Sequence, residues 1–198
     1  MLFKSRKKIN LLEKFYSFIW PKSGWNRLIK YVSLRIKRLP GSPHKIALGF
    51  SFGVASAMTP FFGIHFLIGI FFAWLFRCSI VASIIGNFVG NPWTFPFIIF
   101  VNFEIGKYLF SSKNDISFNV EAVYNEFILI LSSIFSVLFD GNINNFLNTF
   151  INLEFLPLII YGSLFTCLII GFISYFFIKN IVINYQKRKF KINLINNK

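Results

Sequence analysis

SAMTPFFGIHFL, Ser56 to Leu67, is the stretch on which the fold turns, because a proline and a glycine stand in an apolar run where a membrane helix wants neither. Proline removes a backbone donor, clashes with the preceding turn and pushes the residue before it out of the helical region. The surrounding run, Ile46 to Phe76, is 31 residues long and carries no charged residue. A helix rises 1.5 Å per residue, so a ~30 Å hydrocarbon core takes roughly 20 residues. The run is too long for one comfortable span and too short for two. Broken at Thr59-Pro60-Phe61-Phe62-Gly63, it gives two arms of about 13 residues, each reaching ~20 Å, which suits a re-entrant hairpin that dips into a membrane and returns to the same side.

The next run repeats the pattern. Cys78 to Phe103 is free of charged residues and is interrupted by Gly90-Asn91-Pro92-Trp93-Thr94-Phe95-Pro96, with Pro92 standing 32 positions after Pro60. If both runs are re-entrant, Lys45, Arg77 and Lys107 all stay on one side, the cytoplasmic one.

Composition agrees with a bilayer as solvent. Hydrophobic residues make up 55% of the 198 and charged residues 14%, where soluble proteins carry roughly a quarter charged; the mean hydropathy is +0.61. The net charge of +14 does not indicate a nucleic-acid partner, since the basic residues collect at the two ends rather than over a polar surface. Residues 1–45 hold twelve Lys or Arg against one acid, Glu13, a net +11, and the tail 179–198 adds Lys179, Lys187, Arg188, Lys189, Lys191 and Lys198 with no acid. By the positive-inside rule both termini are expected in the cytoplasm, with an even number of crossings. Glu13 and Lys14 interrupt the apolar stretch that a cleavable signal peptide needs, so the N-terminus is expected to stay on the protein. Phe occurs 29 times, which an AT-rich genome explains as well as any aromatic site does, and Cys78 and Cys167 lie far apart in apolar sequence, as plain thiols would.

Three segments complete the chain. In the first, 1–45, Trp25, Leu28, Ile29, Val32, Ile36 and Leu39 share one helical face, with Arg27, Lys30, Lys37 and Arg38 opposite and Pro40-Gly41 at the end. That is a basic amphipathic helix suited to anionic headgroups or to a protein partner. The membrane domain, 46–178, closes with Tyr124 to Asp140 and Phe155 to Ile178, expected to form one transmembrane hairpin (124–178) whose connection DGNINNFLNTFINLE has two acids and no Lys or Arg. Residues 179–198 form a basic tail. The fold class is thus an all-α integral membrane protein: a basic amphipathic helix, two Pro/Gly-broken helical hairpins and a C-terminal transmembrane hairpin.

Unpaired backbone groups cost several kcal/mol in hydrocarbon, so broken helices persist only where protein or a watered cavity satisfies them. Paired interrupted segments point to a binding site at mid-depth, and helix N-termini offer donors to an anion such as phosphate. The ligand-binding candidates are therefore Thr59, Pro60, Gly63, His65, Asn91, Pro92, Thr94, Pro96 and Glu104, and the membrane-surface candidates are Arg27, Lys30, Lys37 and Arg38. Each has a structural alternative. Prolines kink membrane helices, Gly49, Gly53, Gly86 and Gly90 allow close packing, His65 can satisfy a freed carbonyl, and Arg77 and Glu104 can act as headgroup-level anchors. No Walker A, H-E-x-x-H or G-x-S-x-G sequence occurs, and two His with two Cys make no metal set, so neither enzyme chemistry nor a cofactor is expected. Asn91, Thr94, Glu104 and His65 are the groups from which an intramembrane enzyme would have to be built.

GSPHKIALGFSFGVASAMTPFFGIH, followed by GNFVGNPWTFPF, resembles the bacterial membrane-protein family DUF2062, a domain of unknown function, in Gly41 to Pro43, Thr59 to Gly63 and Gly90 to Thr94, with a DUF2062-like core over 41–110. A second proline often follows the one at Pro96 in that family; here Phe97 stands instead. The resemblance implies bacterial origin and an inner-membrane location, and some relatives are joined to glycosyltransferase-like domains. Two functions fit: a small transporter or flippase for an anionic lipid or lipid-linked phosphate, or a noncatalytic scaffold for an envelope enzyme. Anionic lipid and a second copy of the chain, shielding the short arms in a homodimer, are the expected partners.

Overall fold

The computed structural model describes residues 25–61, 63–110, 117–141 and 143–196, and every regular element among them is an α-helix. Half of the twelve basic residues of the N-terminal stretch noted above lie in 1–24, outside the described residues. Two compact units divide the chain, residues 1–40 and 41–198. In the first, α1 runs Trp25–Lys37; Arg27, Lys30, Arg35 and Arg38 are exposed and Ile36 is buried.

The second unit opens with α2, Pro43–Ala57, started by Ser42 as N-cap and Pro43 in its first turn, the combination that orphan N–H groups favour. After the break, α3 covers Ile64–Leu75, and Gly63 supplies a φ of +85° between them, a backbone region that only glycine enters freely. The two helices fold back on each other: Phe52 stacks with Phe72 and Phe76 at 5.8 and 5.1 Å between ring centroids. The short helix α4, Ile80–Asn87, then lies alongside α2 in the same direction. Ser79 N–H donates to the Lys45 carbonyl at 3.1 Å, Gly49 and Gly53 meet the backbone of Ser79 and Ser83, and Gly86 meets that of Phe50 and Val54. Any side chain at these glycines would collide with backbone, which is how small residues let helices approach.

The second broken run does not fold back. Helix α5, Phe95–Phe110, packs not along α4 but on the long helix α8, Phe155–Asn196. The crossing is reciprocal, with Gly106 against the Leu158 carbonyl and Gly162 against the Asn102 carbonyl. α8 runs opposite to α2, as Ser51 Oγ donating to the Gly171 carbonyl at 2.7 Å and His44 Nδ1 bonded to Tyr175 Oη at 2.8 Å fix. Residues 102 and 106 therefore face progressively more distant parts of α8, and α5 leads away from the end where Lys45, Ser79 and Tyr175 meet. The expected return of Lys107 to that end is corrected: glycines on α5 and α8 hold the second run as a broken but onward path.

Among the described residues two helices are long and apolar enough to cross a membrane, α6 (Val120–Asp140, 21 residues) and the Phe155–Lys189 part of α8. They do not pair with each other as an antiparallel hairpin. The start of α6 meets the start of α8, where Val123 joins Phe103, Leu158 and Ile159, and α6 turns at Gly141 onto α7, Ile143–Ile151. The connection contains apolar Ile143, Phe146, Leu147, Phe150 and Ile151 at helical spacing and forms α7, which packs against α6.

Candidate functional site

The last turn of α2 tightens, with Met58 and Thr59 N–H donating to the Ala55 and Ser56 carbonyls, and side chains also meet carbonyls there. Asn102 of α5, fully buried, donates from Nδ2 to the Met58 carbonyl at 2.8 Å and accepts on Oδ1 from Thr166 Oγ1 at 2.7 Å. Cys167 of α8 donates to the Ala55 carbonyl, and Thr59 Oγ1 to that of Ser56 at 2.7 Å. Pro60 is fully buried. His65, equally buried, holds the other side of the break: Gly63 N–H donates to Nδ1 at 3.1 Å, Phe61 O lies 3.2 Å from the same nitrogen, and the Gly90 backbone is in hydrogen-bonding reach of the ring. One nitrogen cannot both accept and donate, so an unprotonated Nδ1 is the form that takes the Gly63 donor.

The second break closes on itself. Asn91 Oδ1 accepts from Trp93 and Thr94 N–H at 2.9 and 3.0 Å, while Thr94 Oγ1 accepts from Asn91 N–H at 3.1 Å and donates to the Val89 carbonyl. These bonds are the side-chain capping that precedes many helices, here at the entry to α5. Pro92 and Pro96 are exposed.

Between the breaks lies a polar cluster that the sequence reading did not single out. Ser56 Oγ donates to Asn87 Oδ1 at 2.9 Å, Asn87 Nδ2 donates to the Ser83 carbonyl at 3.2 Å, and Ser83 Oγ is buried without a hydrogen-bond partner. The bare backbone of Gly69 in α3 covers all three side chains. Gly90 against Ala57 brings the second break beside the first. The structure thus gathers Thr59, Pro60, Gly63 and His65 at Gly90, with Asn91 and Thr94 just beyond. Glu104 stands apart, in a groove between α5 and α8. Arg27, Lys30, Lys37 and Arg38 belong to the first unit.

Two open surface depressions lie elsewhere, and no break residue lines either. One, of about 540 Å³, adjoins Trp74, Leu75, Arg77, Cys78 and Ile80 at the turn between α3 and α4, where Arg77 takes a φ of 52°. The other, of about 400 Å³, is the Glu104 groove. A further carboxylate also escaped the sequence reading. Glu126, largely buried, accepts from Glu154, Phe155 and Leu156 N–H at 2.8 to 3.2 Å. It neutralises the positive end of α8, and Pro157 next in line has no N–H to satisfy. Single polar residues inside apolar runs, such as Asn87, Asn102 and Glu126, were the available signal.

Among the described residues these features define an all-helical fold with two helices apolar enough to cross a membrane and two helix breaks sealed by side chains of the chain itself. The chain belongs to the DUF2062 family, uncharacterized proteins conserved in bacteria, whose family model matches residues 26–191. Among curated proteins and among solved structures nothing matches.

Proposed function

We propose that this is a noncatalytic protein of the bacterial inner membrane that acts as a scaffold for an envelope enzyme, engaging anionic lipid and its partner through a basic cytoplasmic face. The observation that carries this reading is the closure of both breaks: the side chains a resident ligand would need already bond backbone of the chain itself. The second unit is also charged unequally. Lys45, Arg77, Lys179, Lys187, Arg188 and Lys189 belong to the end where Ser79 meets Lys45 and to the α8 extension beyond it, whereas Glu126 and Glu154 sit at the start of α8, opposite. That asymmetry fits a cytoplasmic basic end. The α2–α3 hairpin would then return to it, while α4–α5 and α8 would each cross, leaving both termini inside. Large apolar side chains such as Leu138 and Leu168 are more than 70% exposed, which suits lipid better than water. α1 would lie in the headgroup layer.

The test replaces Arg27, Lys30, Lys37 and Arg38 by Gln and, separately, Thr59 and Asn91 by Ala, and scores rescue of the envelope-antibiotic sensitivity of a deletion strain. The charge variant should fail to rescue and the break variant should rescue at reduced protein level. The reverse pattern sinks the scaffold.

One observation favours transport of an anionic lipid or lipid-linked phosphate instead: α3 covers Ser56, Ser83 and Asn87 with nothing bulkier than Gly69, so a shift of that arm would open a polar site. Phe66 and Phe88 pack at 5.8 Å between ring centroids. A disulfide at Phe66→Cys/Phe88→Cys, in a background without Cys78 and Cys167, would block lipid-carrier recycling if this reading holds. Unimpaired recycling in the locked protein would remove it.

A further inference from the structure

We propose that the α6–α7 hairpin is a paddle laid into the outer leaflet of the membrane, held there by lipid acyl chains without crossing the bilayer; this rests on the membrane reading above but not on the scaffold. α6 is long and apolar enough to cross, yet its direction and its return both argue against a crossing. Val123 packs with Leu158 and Ile159, and three residues further on Glu126 accepts from Glu154, Phe155 and Leu156 N–H. An advance along α6 is thus a retreat along α8, which begins at Phe155. From Ile128 to Asp140, about 20 Å of helix, α6 has passed the end of α8 and packs on α7.

The arm leaves and returns at one level. Leu153, after α7, is buried, and Glu154 N–H joins the Glu126 clamp beside the start of α6. A crossing by α6 would have to be undone between Asp140 and Glu154. The nine residues of α7 rise about 14 Å, under half of a ~30 Å core, and irregular backbone facing lipid does not complete such a passage.

Charge and exposure say which side the arm is on and what covers it. No Lys, Arg or His stands between Lys113 and Lys179, which puts the hairpin on the outer side. Past Glu126 only Ser133 of α6 is buried. Leu129, Leu131, Ile134, Phe135, Leu138 and Phe139 are exposed and spread over about 220° of the helix at 100° per residue. A protein neighbour takes a stripe of about 100°. An arc twice as wide calls for a solvent that meets the helix from many directions, as hydrocarbon does. α7 adds exposed Ile143, Leu147, Phe150 and Ile151, with uncharged Asn144 and Asn148 turned toward its other side, the division of a helix lying at a headgroup boundary. With no basic residue to draw anionic headgroups, apolar contact does the anchoring and a neutral lipid suffices.

The test places single cysteines at the two exposed ends of α6, Glu121→Cys and Asp140→Cys, in the full chain with Cys78 and Cys167 replaced by Ser, and treats intact cells with an impermeant maleimide. Both should be labelled. Labelling of one alone means that α6 crosses, and labelling of neither until the cells are permeabilised means that the hairpin is cytoplasmic; either result overturns the paddle. Asn144→Cys, on the polar side of α7, replaces Asp140→Cys should that variant not accumulate. A nitroxide on Leu138→Cys, in phosphatidylcholine nanodiscs, should be relaxed more by oxygen than by a water-soluble nickel chelate, with the order reversed on Glu121→Cys. Stronger relaxation of Leu138→Cys by the chelate puts the arm in water, and shielding from both reagents puts it against a second copy; each overturns the lipid contact. Carbonate washing of cell membranes separates the two levels: a chain that washes off ends the membrane reading, whereas an embedded chain whose α6 crosses ends the paddle alone.

Discussion

The two helix breaks look alike in sequence and are held by different means. At Thr59–Gly63 carbonyls at the end of α2 are met from α5 and α8, by Asn102 with Thr166 behind it and by Cys167. At Gly90–Thr94 the side-chain bonds stay within a few residues, between Asn91, Thr94 and the adjoining backbone, and only the Gly90 backbone reaches across, to the His65 ring. A proline-marked break is thus either a product of the whole fold or a motif that closes itself, and only the first kind ties distant helices together.

The largest effect expected of this difference is from Asn102→Ala. It strips the Met58 carbonyl and the Thr166 hydroxyl of their buried partner at once, for a loss of about 3 kcal/mol, read as thermal unfolding in detergent. Thr166→Val should cost about 1 kcal/mol. The double variant should fall short of the sum by about 0.5 kcal/mol or more, because the two residues form one network. Strict additivity would mean that Asn102 acts on Met58 without Thr166.

Asn91→Ala removes a local cap and should cost about 1 kcal/mol. Combined with Asn102→Ala it should add within roughly 0.5 kcal/mol, since the two share no partner. Strong coupling between them would erase the distinction drawn above. Smaller again is the effect of Thr59→Ala, below about 1 kcal/mol, because Thr59 N–H still donates to the Ser56 carbonyl at 3.1 Å.

The smallest effect concerns Cys78, at the turn that joins the two broken runs. Burial pushes its thiol up while the nearby charge of Lys45 pulls the other way. The thiolate is the reacting form, so alkylation should be slower than for a free thiol at neutral pH and should rise only at pH above the ordinary thiol value. If Asn102→Ala loosens α2 and with it the turn, labelling of Cys78 should quicken; under Asn91→Ala it should not.

Both breaks were legible in the sequence, because proline and glycine constrain the backbone locally: α2 and α4 end before them, and α3 and α5 begin after them. A helix over 25–37 was legible too, from spacing alone. The direction of α5 was not: it follows from Gly106 and Gly162 meeting each other's helices, a contact 56 positions apart that no local pattern announces. α7 was hidden by its asparagines, which suggest a loop although the apolar spacing around them is helical. α8 was cut short at Ile178 because Lys and Arg were read as a tail, yet both are good helix formers and no Gly or Pro follows Gly171. At the candidate site the flagged residues at the breaks lie close together, but the side chains that complete the first break, Asn102 and Thr166, come from helices whose placement only the tertiary fold supplies.

The 42 residues of α8 form one rod, about 63 Å long, without an interior break. Its crossing with α5 at Gly162 has backbone on backbone and no side chain to cushion it. Beyond that crossing the rod is fastened to α2 through Gly171 and Tyr175. The Glu126 clamp at one extremity and the lysine-rich stretch at the other thus belong to a single strut that carries α2 along its flank, so the two ends of the unit are held at a fixed spacing by one uninterrupted piece of backbone.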